Sequence, residues 1–216
     1  MLISHKNKLI TIDIPKTGTR SLRITLMPLG IIDIIGSAVS TDFPQHGTAL
    51  ECKQSLENLG YNFDDYFSFC VVRNPWDRYL SFFKYFKEKA DEYIQTSDYS
   101  QWHDVKINQG KTSVRLFSEG SEQDILRKII NSQTAQSEYF LNNNQKIMIS
   151  HIGDFTNLEK EWNYLFNKIK IDKPQTRHEN KSLLRISCSD IYNQELIDLV
   201  AEKENYLINL KKYEFK

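Results

Sequence analysis

Two short segments of this chain hold the residue types best suited to gripping an anion. Lys16-Thr17-Gly18-Thr19-Arg20-Ser21 follows the largely apolar run Leu9-Ile10-Thr11-Ile12-Asp13-Ile14-Pro15, and Arg73-Asn74-Pro75-Trp76-Asp77-Arg78-Tyr79-Leu80-Ser81 follows the run from Tyr66 to Val72. Cations, hydroxyls and backbone N–H groups at the opening of a helix are what a chain uses to hold a phosphate or sulfate ester. In the first turn Gly18 lets the backbone approach a ligand closely, Thr17, Thr19 and Ser21 offer hydroxyls, and Lys16 sets an ammonium at the mouth of the loop. No glycine stands four residues before a Gly-Lys-Ser/Thr triplet, so the loop is not the common nucleotide-binding pattern of that kind. Taken alone, an ordinary strand-to-helix turn with a surface lysine accounts for it equally well. The second turn is more specific. Arg73 leaves a buried strand at its carboxyl end, where a guanidinium can fork onto a phosphate. Ser81 stands about two helical turns further on. Two such turns in one small domain predict a ligand with phosphates at both ends.

The elements that must position these turns follow from apolar spacing. Residues 8–14 read as a strand rich in Ile, and Ser21 to Met27 as a helix ended by Pro28-Leu29-Gly30. Ile31 to Ile35 has strand length, and His46 to Leu59 shows helical spacing closed by Gly60. Phe67 to Val72 is a near-continuous apolar run, as in a strand covered on both faces. Pro75 then fits the first turn of a helix whose Trp76, Tyr79 and Phe83 face a core. Residues 90–121 read as polar and irregular, with Tyr93, Tyr99 and Trp102 scattered through them. They are expected to form a lid or substrate loop, with 90–115 lining an acceptor site. A helix near 122–131, a strand from Lys146 to Ser150, a capping box at Thr156 to Glu159 and a last helix from Asp190 to Leu210 follow. Alternating strands and helices predict an α/β fold whose central sheet is mostly parallel and flanked by helices, with ligands at the carboxyl ends of its strands.

Composition narrows the function classes. At 216 residues the chain is most economically a single domain, 1–216. Lys and Arg total 28, as do Asp and Glu, which argues against a nucleic-acid-coating role while leaving room for a local basic cleft. Cys52, Cys70 and Cys188 are few and widely spaced, without a Cys/His ligand pattern, so no metal and a reducing compartment are expected. No charged segment followed by an apolar core opens the sequence, and its apolar runs are too short to span a bilayer. A cytoplasmic protein without a transmembrane segment is the expectation.

Pro15-Lys16-Thr17-Gly18-Thr19 followed by Val72-Arg73-Asn74-Pro75-Trp76-Asp77-Arg78-Tyr79-Leu80-Ser81 closely resembles the two nucleotide motifs of sulfotransferases that use 3′-phosphoadenylyl sulfate (PAPS). The likeness is nearer to the Golgi carbohydrate enzymes and their bacterial relatives, heparan sulfate 2-O-sulfotransferase among them, than to the cytosolic aryl enzymes. Phe155 to Glu159, His178 to Ser182 and a Tyr-rich C-terminal helix agree with it, so that it spans most of the chain. The resemblance implies a P-loop-like three-layer fold. It assigns Lys16, Thr17, Gly18, Thr19, Arg20 and Ser21 to the 5′-phosphosulfate, Arg73 and Ser81 to the 3′-phosphate, and Arg177, Lys181 and Ser182 to a C-terminal loop over the nucleotide. Arg20 departs from the family, which usually has a small hydroxyl residue there. No metal is implied. Lys16 is expected to stabilise the leaving phosphate. His46, before the second motif like the histidine proposed as base in the 2-O-sulfotransferase-like enzymes, is the candidate general base. Glu51 and His103 stand in reserve, whereas His5, His151 and His178 are expected to be structural or exposed. The function implied is transfer of a sulfuryl group from PAPS to an acceptor hydroxyl, of a carbohydrate, leaving PAP. Two alternatives share these residues: a catalytically silent PAP- or PAPS-binding relative, and a P-loop small-molecule kinase.

Overall fold

The computed structural model describes residues 1–102, 104–175, 182 and 184–216. In chain order the strands are β1 (Leu2–Ser4), β2 (Leu9–Ile12), β3 (Ile34–Ile35), β4 (Phe67–Val72) and β5 (His151–Asp154). The helices are α1 (Thr19–Leu26), α2 (Ala49–Asn58), α3 (Pro75–Gln95), α4 (Asp104–Phe117), α5 (Glu122–Ser132), α6 (Leu158–Lys168), α7 (Cys188–Ile191), α8 (Gln194–Lys203) and α9 (Asn205–Lys211). They fall into two compact units, one made of Met1–Arg73 and Ala135–Glu179, the other of Asn74–Thr134 and Asn180–Lys216.

The first unit is built on a five-stranded sheet in the order β3-β1-β2-β4-β5. β2 runs parallel to β4, with Ile12 beside Cys70, and β4 runs parallel to β5, with Val72 beside Asp154. β1 pairs antiparallel with both β2 and β3. The sheet is therefore mixed, which corrects the expectation of a mostly parallel one. The reason is local. Only four residues separate β1 from β2, with Lys8 left-handed at φ 48°, and so short a connection can make a hairpin but not a crossover. β4 is buried at every position from Ser68 to Val72, as its near-continuous apolar run predicts. Leu9, Leu22, Phe69, Trp162 and Phe166 form the core between the sheet and its helices.

The second unit is helical. Trp76, Tyr79 and Phe83 of α3 are buried with Leu126 and Ile130 of α5 and Leu196 of α8, in agreement with the apolar spacing. Within this core Arg78 and Glu204, both fully buried, pair at 3.2 Å, and the Tyr79 hydroxyl donates to the same carboxylate oxygen at 3.0 Å. Glu204 stands where α8 gives way to α9, so the C-terminal helix expected to be continuous comes instead in three pieces. A further correction concerns 90–121. α3 continues to Gln95, and α4 occupies most of the remainder. Its apolar residues, Val105, Ile107, Val114, Leu116 and Phe117, are set among polar positions and Gly110, so the helical stripe is weak in the sequence. Leu116 and Phe117 pack against the buried core of this unit, Lys106 lies 3.7 Å from the Trp102 ring and pairs with Glu92, and Tyr93 of α3 stacks on Tyr99. Tyr93, Tyr99 and Trp102 all contact one another through their rings.

Two smaller expectations also shift. The strand sought at 146–150 lies at β5, and Ile147 makes only an isolated bridge with Leu141. The capping role placed on Thr156 belongs to Asp154, whose carboxylate accepts from the Thr156 amide at 2.8 Å. Among the described residues no helix is long and apolar enough to cross a membrane.

Candidate functional site

The first unit gathers its chemistry where the chain leaves the parallel strands β2 and β4. After β2 the backbone turns sharply. Lys16 is held at φ 70° and Gly18 at φ 83°, both left-handed. For lysine this conformation is strained by about 1–2 kcal/mol, and residues so held concentrate at functional sites. Gly18 is the residue before α1 and gives that helix no side-chain cap, so the first-turn amides are left to other partners. A Cβ on Gly18 would stand 3.1 Å from Leu158 Cδ1 and 3.3 Å from Phe155 Cε2. Gly18→Ala should therefore destabilise the protein by about 1–2 kcal/mol. Urea unfolding would read this as a lowered midpoint, and an unmoved midpoint would contradict the left-handed turn.

The hydroxyls of the loop differ in their tasks. Thr17 is fully buried and its hydroxyl donates to the Ile14 carbonyl at 2.8 Å, a bond that staples the turn shut rather than facing a ligand. Thr19 is half-buried, Ser21 is buried, and Arg20 is exposed. A small pocket beneath the loop is lined by Asp13, Thr17, Gly18, Thr19, Cys70 and Trp162, among others.

Arg73 follows β4 directly and reaches this loop. Its Nη1 donates to the Lys16 carbonyl at 3.4 Å, and its guanidinium lies 4.5 Å from the centroid of the Phe155 ring. Phe155 thus borders both turns, touching the space at Gly18 with its edge and carrying Arg73 on its face. Gln136 holds the backbone of Arg73. Its Oε1 accepts from the Arg73 N–H and its Nε2 donates to the Arg73 carbonyl, both at 2.9 Å.

His46 is two residues ahead of Thr48, the cap of α2, so it precedes that helix where it was expected to open it. Its Nδ1 lies 2.7 Å from the Asp13 carbonyl oxygen at the end of β2. A carbonyl can only accept, so Nδ1 carries the proton and Nε2 of the neutral ring is the basic nitrogen. The residue as a whole is exposed, yet the protein packed about the ring lowers its pKa from the ordinary 6.5 by desolvation, against the opposing pull of the Asp13 carbonyl. The Asp13 carboxylate is itself buried and paired with Arg23 Nε at 2.8 Å. Glu51, the reserve base, spends its carboxylate on the Thr48 amide at 2.7 Å as the second half of a capping box.

Lys16, Gly18, Arg73 and His46 are therefore brought together in one unit. Ser81 stands half-buried on α3 in the other unit, and Ser182, also there, donates its hydroxyl to Glu88 at 2.5 Å. Arg177, Lys181, His178 and His103 lie outside the described residues. The sequence reading missed Asp13 and Gln136. Asp13 had a signal, as a carboxylate closing an apolar strand; Gln136 had none. Among the described residues no group of three or more His, Cys, Asp and Glu side chains is placed to hold a metal ion. No curated protein and no solved structure matches the chain. The model of the sulfotransferase family, however, matches residues 1–194, nearly the whole chain and both turns described above, and the protein belongs to that family.

Proposed function

We propose that this protein transfers the sulfuryl group of PAPS to a carbohydrate hydroxyl, releasing PAP. The observation that carries the reading is the convergence, at the ends of β2 and β4, of an uncapped helix start, two cations and a histidine whose Nε2 is basic. This donor set fits an anionic ester, and family membership supports sulfuryl transfer rather than the kinase alternative. In the proposed reaction the acceptor oxygen forms a bond to sulfur while the bond from sulfur to the 5′-phosphate oxygen breaks. The acceptor proton passes to His46 Nε2, and Lys16 with the α1 amides neutralises the charge growing on the departing phosphate. Arg73 holds the 3′-phosphate; the assignment of Ser81 to the same group rests on motif resemblance alone. The carbohydrate acceptor likewise rests on likeness to the Golgi enzymes.

Thermal unfolding with PAP, AMP, ATP or buffer tests the donor. PAP at a hundred times its Kd should stabilise the protein by about 2.7 kcal/mol. Arg73→Ala should weaken PAP binding roughly ten- to a hundredfold, the range for a charge-assisted hydrogen bond. Equal stabilisation by ATP and PAP, or an unchanged PAP affinity in the variant, would refute the donor assignment. Transfer of labelled sulfate from PAPS to a glycan panel tests the acceptor, and PAP binding without transfer to any hydroxyl would instead mark a silent relative.

A further inference from the structure

Gln136 brackets the backbone of Arg73 with two hydrogen bonds. Arg73 lies just beyond β4, where both ladders have ended: the last pair with β2 is Ile12 with Cys70, and the last with β5 is Val72 with Asp154. Its N–H and carbonyl need partners that no neighbouring strand residue supplies. Gln136, in a 3₁₀ turn over Gln136–Tyr139 and fully buried, meets both with one side chain. The arrangement also fixes the amide orientation, because only Oε1 can accept from an N–H and only Nε2 can donate to a carbonyl. A buried amide is costly unless bonded, so the side chain has strong reason to hold this geometry. The turn that carries it is closed in turn by Glu138, which accepts from the Ala135 N–H at 3.1 Å. Downstream of the clamp the Arg73 guanidinium reaches the Lys16 carbonyl and the Phe155 face.

We propose that Gln136 is a positioning residue for nucleotide recognition, fixing the backbone of Arg73 so that its guanidinium meets the 3′-phosphate while braced on the loop that carries Lys16. The inference rests on the reading of Arg73 given above. A glutamine that merely closes the end of a strand would affect stability but not discrimination between nucleotides. The test is therefore the ratio of the dissociation constants of AMP and PAP, measured calorimetrically for the intact protein, Arg73→Ala, Gln136→Met and Gln136→Glu. Gln136→Met removes both bonds. Gln136→Glu keeps the side-chain shape and the bond from the Arg73 N–H, and serves if the methionine variant does not fold. Unfolding midpoints verify the fold of each.

The preference for PAP over AMP should fall at least about tenfold in Gln136→Met and severalfold in Gln136→Glu, with AMP affinity changed less than about twofold. If the intact protein does not prefer PAP, or if Arg73→Ala keeps the preference, the reading of Arg73 fails and the inference with it. If Arg73→Ala loses the preference while a folded Gln136 variant keeps it, the inference alone is overturned.

Discussion

Replacing Lys16 with alanine is expected to lower turnover of PAPS by at least about a hundredfold while leaving the unfolding midpoint nearly unchanged. The size follows from the task. A single preorganised donor aimed at a developing oxyanion contributes about 2.7–4 kcal/mol, and the departing phosphate oxygen gains its charge only as the bond to sulfur breaks. The effect should therefore fall mainly on kcat and less on KM for PAPS, since an interaction made chiefly in the transition state does not favour the bound ground state. Stability should be spared because alanine at φ 70° carries much the same left-handed strain that lysine already carries there. Lys16→Arg supplies a control that keeps the charge but spreads it over a planar fork; it should recover only part of the rate. Single-turnover transfer of labelled sulfate is the measurement. A kcat within about fivefold of the intact protein would remove Lys16 from the reacting end of the site.

How much of this site could be read from the sequence depends on where each contribution is encoded. Lys16, Gly18, Arg73 and His46 declare themselves by side-chain type next to apolar runs, and the structure puts all four into one unit. The turn after β4 was legible because Phe67 to Val72 is apolar except for Ser68, and Pro75 suits the opening of a helix. The antiparallel edge was legible only in part: Ile31 to Ile35 has strand length and holds β3, but β1 has three residues, too short for any period to show, and strand direction leaves no mark in either run. α4 escaped for a different reason. Its apolar residues are interrupted by polar ones and by Gly110, and part of what holds it, Lys106 against Trp102 and Glu92, lies in charge and ring contacts that no apolar period reveals. Gln136 and the Asp13 carbonyl mark the limit of sequence reading. One is an ordinary buried polar residue until its partner is known, and the other is a backbone atom that every residue possesses.

His46→Ala is expected to match the Lys16 variant in size, about a hundredfold or more in turnover, and to differ from it in its pH dependence. A general base must be neutral to accept the acceptor proton. The Asp13 carbonyl fixes the proton on Nδ1, so Nε2 is the acceptor, and desolvation keeps the folded-state pKa below the ordinary 6.5. Activity of the intact protein should accordingly be independent of this group above pH 6.5 and fall as pH drops through the lowered pKa. His46→Ala should lose that acidic limb along with the rate. His46→Asn separates two roles, because its amide can still donate to a carbonyl but cannot take a proton. If it is as slow as the alanine variant, proton transfer is the function; if it retains most of the rate, the ring serves only as a brace. Linkage gives a second readout that needs no substrate. Because folding depresses the pKa, the native state binds fewer protons than the unfolded chain, so this residue's share of stability is complete above pH 6.5 and is lost as pH falls through the folded value. The unfolding midpoint of the intact protein should thus decline relative to His46→Ala on acidification below pH 6.5. Parallel midpoints across that window would show that the imidazole is not desolvated, and would take away the physical basis for its staying neutral.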